Sequence, residues 1–195
     1  MFTGIIETTG KIVELKQEGS NVHFSIESTI SAALQIDQSV SHDGVCLTVV
    51  NIEGNTHTVT AVEETLQRSN LKNKQQGDAV NLERSMLMNG RLDGHLVQGH
   101  VDEVVLCSKV DEREGSWVYS FKISESKSNL LVEKGSVCIN GVSLTVVKAT
   151  RKKFTVVIIP YTFEHTTFKH LKPLDEVNIE YDIIGKYVER MLKRN

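Results

Sequence analysis

Proline and cysteine are scarce in this chain: 2 and 3 residues respectively in a length of 195. With so few prolines, almost every backbone N–H is free to enter a hydrogen-bonded ladder. The cysteines, Cys46, Cys107 and Cys138, are odd in number and have no CxxC spacing. That excludes a paired disulfide framework and a thiolate metal site, and points to a reducing, cytoplasmic setting. Long apolar runs are missing too, since nothing approaches the roughly 20 residues of a membrane helix. The opening MFTGIIETTG has neither the cationic start nor the apolar core of a signal peptide. Net charge is −3 with no basic run, so no nucleic-acid partner is expected. Neither a HExxH pattern nor a glycine-rich phosphate loop placed between a strand and a helix occurs, so neither a metal centre nor a nucleotide fold is expected.

What is abundant is valine, isoleucine and threonine in short runs, and β-branched side chains suit pleated, half-buried surfaces. KIVEL (11–15), NVHFSIE (21–27), THTVTAV (56–62), WVYSFKI (117–123) and FTVVII (154–159) read as strands. Turn signals separate them, such as Glu18-Gly19-Ser20, Glu53-Gly54-Asn55 and Glu114-Gly115-Ser116. Many short strands at near-regular spacing predict an all-β barrel or sandwich.

The chain repeats itself. DGVCLTVV at 43–50 returns as NGVSLTVV at 140–147, an offset of 97. The same offset carries Thr65 onto Thr162 and GDAVNLE (77–83) onto LDEVNIE (174–180). Near the start of each unit the offset is 95, placing Gly4 on Gly99, so the second copy holds a two-residue insertion. A period this long suits two complete domains rather than a solenoid. We place them at 1–97 and 98–183, each with about six strands and a short helical candidate, at 28–34 and 126–132. Asp43-Gly44 and Asn140-Gly141 favour tight turns with positive φ. The tail, 184–195, has no counterpart in the first copy. Ile184, Val188, Met191 and Leu192 fall on one helical stripe, suited to packing on its own barrel or, as we favour, to self-association.

Among chemically capable residues, His95 and His100 each follow a glycine in GHLVQGH. Their odd separation would turn them to opposite faces of a continuous strand, so they would not chelate one ion. Cys46 sits among apolar neighbours and reads by default as an inert thiol. Glu63-Glu64-Thr65 and Tyr161-Thr162 occupy the same place in both copies, which favours a small-molecule pocket in each.

MFTGIIE, DGVCLTV, DGHLVQGHVD, NGVSLTV, IIPYTFEHTT and KYVERML, in this order along nearly the whole chain, resemble the alpha-type riboflavin synthases. The resemblance implies two tandem six-stranded Greek-key barrels and a C-terminal α-helix through which three chains associate. It implies that two 6,7-dimethyl-8-ribityllumazine molecules exchange a four-carbon unit to give riboflavin and a ribitylamino-pyrimidinedione. It also implies an active site between barrels of neighbouring chains, no cofactor, and lumazine synthase as a candidate partner. Two copies of one molecule call for two related pockets, and holding both removes much of the entropic barrier. The lumazine ring is its own electron sink, which leaves the protein to orient, move protons and stabilise charge.

By motif, the first pocket is expected to combine Gly4, Ile5 and Ile6 with Cys46, Leu47 and Thr48. Thr60, Ala61, Val62, Glu63, Glu64 and Thr65 would close it, with Glu64 facing ribityl hydroxyls. The second would combine Gly99, His100 and Val101 with Lys134 and with Ser143, Leu144 and Thr145. Its closing segment is Ile159, Pro160, Tyr161, Thr162, Phe163 and Glu164. Phe2, Ser39, His95 and Asp182 match positions used around the reacting centre. The catalytic candidates are His100, Cys46, Ser39, Ser143, Thr145 and Asp182, with His100 as proton carrier because histidine titrates near neutrality. Cys46 aligns with Ser143 and Ile5 with His100, so the pockets are expected to bind alike and react differently. The chain departs from the family at Asp43 and Asn140, where amide and acid are interchanged, and at Phe163 and His165. The alternatives are a non-catalytic lumazine or flavin binder, a β-barrel interaction module and, more weakly, a barrel flavin reductase.

Overall fold

The computed structural model describes residues 1–193; Arg194 and Asn195, the end of the expected tail, lie outside the described residues. The first copy forms β1 (Thr8–Glu18), β2 (Asn21–Glu27), β3 (Ser39–His42), β4 (Val45–Glu53), β5 (Thr56–Ala61) and β6 (Ala79–Arg84). They close antiparallel in the Greek-key order β1-β2-β5-β4-β3-β6. The second copy repeats that circular order with β7 (Glu103–Arg113), β8 (Ser116–Lys122), β9 (Ser136–Ile139), β10 (Val142–Ala149), β11 (Lys153–Ile158) and β12 (Glu176–Tyr181). Closure removes free sheet edges, and the bends it needs fall at matching bulges. These lie between Ile12 and Glu14 and between Val49 and Asn51 in barrel one, and between Cys107 and Lys109 and between Val146 and Lys148 in barrel two.

The two extra residues of the second copy lie between β8 and β9. There the 3-10 turn Glu125–Leu130 replaces the shorter Ser31–Ala33, so both helical candidates are 3-10 turns. Two α-helices were not expected, α1 (Glu63–Arg68) and α2 (Pro160–His165), six residues each and neither with a buried residue. Without a buried stripe there is no helical period to read.

The barrels meet across a pseudo-twofold axis made of repeat-equivalent residues. Phe2 and Val97 form an antiparallel bridge, with N–H···O distances of 2.7 and 3.1 Å. Gly44 and Gly141, each in a two-residue turn with positive φ at both positions, touch so closely that a Cβ on Gly44 would lie 2.7 Å from the Gly141 nitrogen. Asn81 donates to the Asn140 carbonyl and Asn178 to the Asp43 carbonyl, both at 2.8 Å. Asp43 Oδ1 and Asn140 Oδ1 accept from the Asn81 and Asn178 backbone N–H groups, also at 2.8 Å. The acid and amide departures, Asp43 and Asn140, therefore sit in the buried seam. The second Asp43 oxygen meets Lys74 Nζ at 2.7 Å, and the position equivalent to Lys74 in barrel two is Leu171. Charge and counter-charge change together, which leaves the seam satisfied in both copies.

The tail helix α3 (Ile183–Leu192) begins at Asp182, whose Oδ1 accepts from Ile184 N at 2.9 Å. Lys186 ties it to Asp102 at 2.5 Å. Ile184, Val188, Met191 and Leu192, with Tyr187, are all exposed, so the apolar stripe turns away from its own barrel. No helix among the described residues is long and apolar enough to cross a membrane.

Candidate functional site

The segments ahead of β1 and β7 are the least regular parts of each unit, and a buried glutamate at the end of the sixth strand organises each. Thr3 donates from N and from Oγ1 to Glu83 Oε1, both at 2.7 Å, and Gly4 N donates to Oε2 at 2.9 Å. In barrel two, Gln98 N donates to Glu180 Oε1 at 2.6 Å, and Gly99 N and His100 N donate to Oε2 at 2.9 and 2.8 Å. Burial pushes both carboxyls above the usual carboxylate range, while the N–H bonds oppose the shift. The register of GDAVNLE on LDEVNIE contained these glutamates, but nothing in sequence marked them as clamps.

Each glycine segment then crosses to the opposite barrel. Ser143 N donates to the Gly4 carbonyl at 2.7 Å, and Cys46 N donates to the Gly99 carbonyl at 2.9 Å. Gly4 and Gly99 have φ of 76° and 80°, and a Cβ on either would lie 2.6 Å from the facing Cβ of Ser143 or Cys46. Ile6 packs on the core of barrel two and Val101 on the core of barrel one. This corrects the expected grouping. Gly4, Ile5 and Ile6 belong with Ser143, Leu144 and Thr145, and Gly99, His100 and Val101 belong with Cys46, Leu47 and Thr48. The motif register shows which residues are equivalent and carries no information about which barrel a loop visits.

The exchange changes the chemistry of each cleft. On barrel one the half-buried Cys46 thiol meets the loop carrying the exposed His100. On barrel two the Ser143 hydroxyl meets the Ile5 loop together with His95, whose Nδ1 is 2.7 Å from Ser143 Oγ and whose N donates to Thr3 O at 3.1 Å. Residue 94 must be glycine for this, because a Cβ there would lie 2.1 Å from Thr3 O. His95 Nε2 is buried without a hydrogen-bond partner among the described residues. Burial lowers the His95 pKa and the nearby Asp182 charge opposes it. The expected continuous strand through His95 and His100 is absent; only Val97 bridges.

Other expected residues spread out. Ala61 is buried and Val62, Glu63, Ile159, Pro160, Tyr161 and Glu164 are exposed along the entries to α1 and α2. Thr65, Thr162 and Phe163 are half-buried on those helices. Glu64 pairs with Arg68 at 2.5 Å on the exposed face of α1. The Thr60 hydroxyl lies 2.9 Å from His23 Nδ1 on the outer face of barrel one. Lys134 is exposed on a turn, its backbone N donating to Val146 O at 2.7 Å. Phe2 is fully buried on the axis beside Gly99, and Ser39 pairs with Thr48 at the β3–β4 edge. A concavity of about 670 Å³ lies elsewhere on the seam, between Asn70, Lys74, Asn140, His170 and Glu176.

Fold and clefts define a tandem-barrel protein with two pseudo-symmetric, chemically unequal ligand clefts. The model of the lumazine binding domain matches residues 3–85 and 98–182. Riboflavin synthase of Bacillus subtilis is 39% identical over 195 residues, covering 100% of this chain and 91% of that one. Riboflavin synthase of Saccharomyces cerevisiae is 33% identical, covering 98% of this chain and 86% of that one. The solved structure of LumP with riboflavin superposes with a TM-score of 0.86 at 21% identity, covering 93% of this chain and 99% of that one, a likeness of fold. The chain belongs to the lumazine binding domain family, among its riboflavin synthases.

Proposed function

We propose that this chain catalyses the riboflavin synthase reaction, in which two 6,7-dimethyl-8-ribityllumazine molecules yield riboflavin and 5-amino-6-ribitylamino-pyrimidinedione. The observation that carries the reading is the crossed pair of clefts: related by a pseudo-twofold axis, alike in backbone, unequal in reactive groups. One lumazine lies against Cys46, Thr48 and the Gly99–Val101 loop; the other lies against Ser143, Thr145 and the Gly4–Ile6 loop. Backbone groups hold the pteridine edges, and the entries to α1 and α2 close the two clefts.

One ring is attacked at carbon 7 and the other loses a proton from its 7-methyl group. Spread over the heterocycle, that carbanion needs only a positioned base and charge stabilisation. His100, beside the Cys46 cleft, carries the proton. The unpartnered Nε2 of His95, oriented by Ser143, is a second site for one, with Asp182 holding the approach. The two rings must meet face to face, which calls for two clefts brought opposite each other. Three chains joined through the exposed stripe of α3 bring the barrel-one cleft of one copy opposite the barrel-two cleft of the next. For dissection we take 1–97, 98–183 and 184–195 as units; because the glycine loops cross, neither barrel cut out alone forms a complete cleft.

The deciding experiment adds lumazine to the purified chain and follows absorbance and green fluorescence. Flavin appearing at half the lumazine consumed supports the reading. A shifted lumazine spectrum with no flavin identifies a binder instead.

A further inference from the structure

We propose that Trp117 is a positioning residue for the barrel-two cleft, acting by fixing α2 through Phe163; this rests on the reading above, in which Ile159–Glu164 close that cleft. Trp117 is the second residue of β8 and sits opposite Ile158, the last residue of β11 before α2. Its indole lies on the Phe163 ring with centroids 3.8 Å apart and planes 3° from parallel. Both side chains are half-buried on the core of barrel two. The stack therefore spans the joint between strand and helix.

That joint has little else. α2 is six residues long, buries none of them, and has no side-chain cap at Ile159. A helix this short does not hold itself and takes its position from tertiary contact. A stacked aromatic pair restricts tilt and rotation where an aliphatic contact lets the helix roll. In barrel one the equivalent positions are Val22 and Leu66, which pack on that core by aliphatic contact alone, and the polar pairs Arg68 with Glu64 and Gln67 with Glu63 lie within α1 itself. The wall of cleft two is thus preset while the wall of cleft one adapts, so the two clefts differ in how they receive the same ligand.

The test uses riboflavin, which binds without turning over alone, and the full chain. Trp117→Val with Phe163→Leu installs the pair that barrel one already packs. The stack's contribution beyond burial corresponds to about two- to tenfold in a binding constant. Expected is a loss of that size in one of the two riboflavin binding events, with the other unchanged. Amide exchange should quicken in α2 and not in α1. Trp117→Phe keeps a ring on Phe163 and should restore both readouts to within about twofold. Equal weakening of both events, no weakening of either, or unchanged exchange in α2 would overturn the proposal. Failure of the synthase reading itself shows separately, as an unmodified chain that neither binds riboflavin nor makes flavin; exchange in α2 still judges the stack.

Discussion

The two barrels share strand order, bulges and turns, yet they are filled differently. Barrel one holds a buried polar chain. His42 Nε2 lies 2.9 Å from His57 Nε2, His57 Nδ1 lies 2.7 Å from Ser31 Oγ, and Ser31 Oγ lies 2.7 Å from Ser28 Oγ. His42 Nδ1 reaches the Val40 carbonyl at 3.1 Å. Barrel two has Ile139 and Phe154 at the places of His42 and His57, inside a core with Tyr119, Phe121 and Phe168. One scaffold thus tolerates either a satisfied hydrogen-bond chain or an aromatic cluster. What duplication holds constant is the backbone geometry at the seam and the glycine loops. What diverges is the barrel interior and the side chains at the clefts, Cys46 against Ser143 and His100 against Ile5.

The comparison breaks most completely if the chains are kept apart. Val188→Asp puts a charge on the exposed α3 stripe and should shift sedimentation to the single chain. Flavin formation should fall to background while both barrels stay folded by circular dichroism.

Acid separates the two interiors. Burial, with the charge of His57 adding to it, lowers the His42 pKa to about 3, and burial lowers that of His57 to about 4. Unfolded histidines titrate near 6.5, so below that pH the unfolded chain binds more protons. This contribution to stability is complete above 6.5 and drains as pH falls toward 4 and 3. Each histidine removes about 1.4 kcal/mol per pH unit, or up to about 5 kcal/mol for the pair by pH 4.5. Urea midpoints at pH 7 and 4.5 check this. Far-ultraviolet circular dichroism should show an early acid transition that Trp117 emission, which reports barrel two, does not follow. His42→Ile with His57→Phe should abolish it.

The clefts should separate next. His100→Gln is expected to lower turnover at least about 100-fold with riboflavin binding retained, whereas Ile5→Gln, its register mate, should cost less than about tenfold. Full turnover in His100→Gln would remove its role as proton carrier. The smallest effect concerns a turn. Leu174 has φ of 79° where barrel one has Gly77 at 99°. Leu174→Gly relieves a left-handed backbone on an exposed residue and should raise stability by about 0.5–1 kcal/mol in urea unfolding.

Much of the fold was legible because strands, repeat and turns leave local marks. The Asp43-Gly44 and Asn140-Gly141 dipeptides announced their turns, and the change of offset from 97 to 95 announced the insertion before β9. The family motifs marked candidate cleft residues, while which barrel each glycine loop faces was not legible. Which barrel Gly4 and Gly99 visit depends on the seam between Phe2 and Val97, a tertiary pairing with no sequence period. Glu83 and Glu180 read as strand ends. His42 and His57, 15 apart in sequence, gave no sign of meeting inside a barrel.

A crystal structure of the chain with riboflavin decides whether the glycine loops cross between the barrels. One isoalloxazine is expected on each barrel, with residues 4–6 covering the ligand beside Ser143 and residues 99–101 covering the ligand beside Cys46. A structure with residues 4–6 over a ligand beside Cys46, or with a single ligand lodged in the groove between Lys74 and His170, would contradict it.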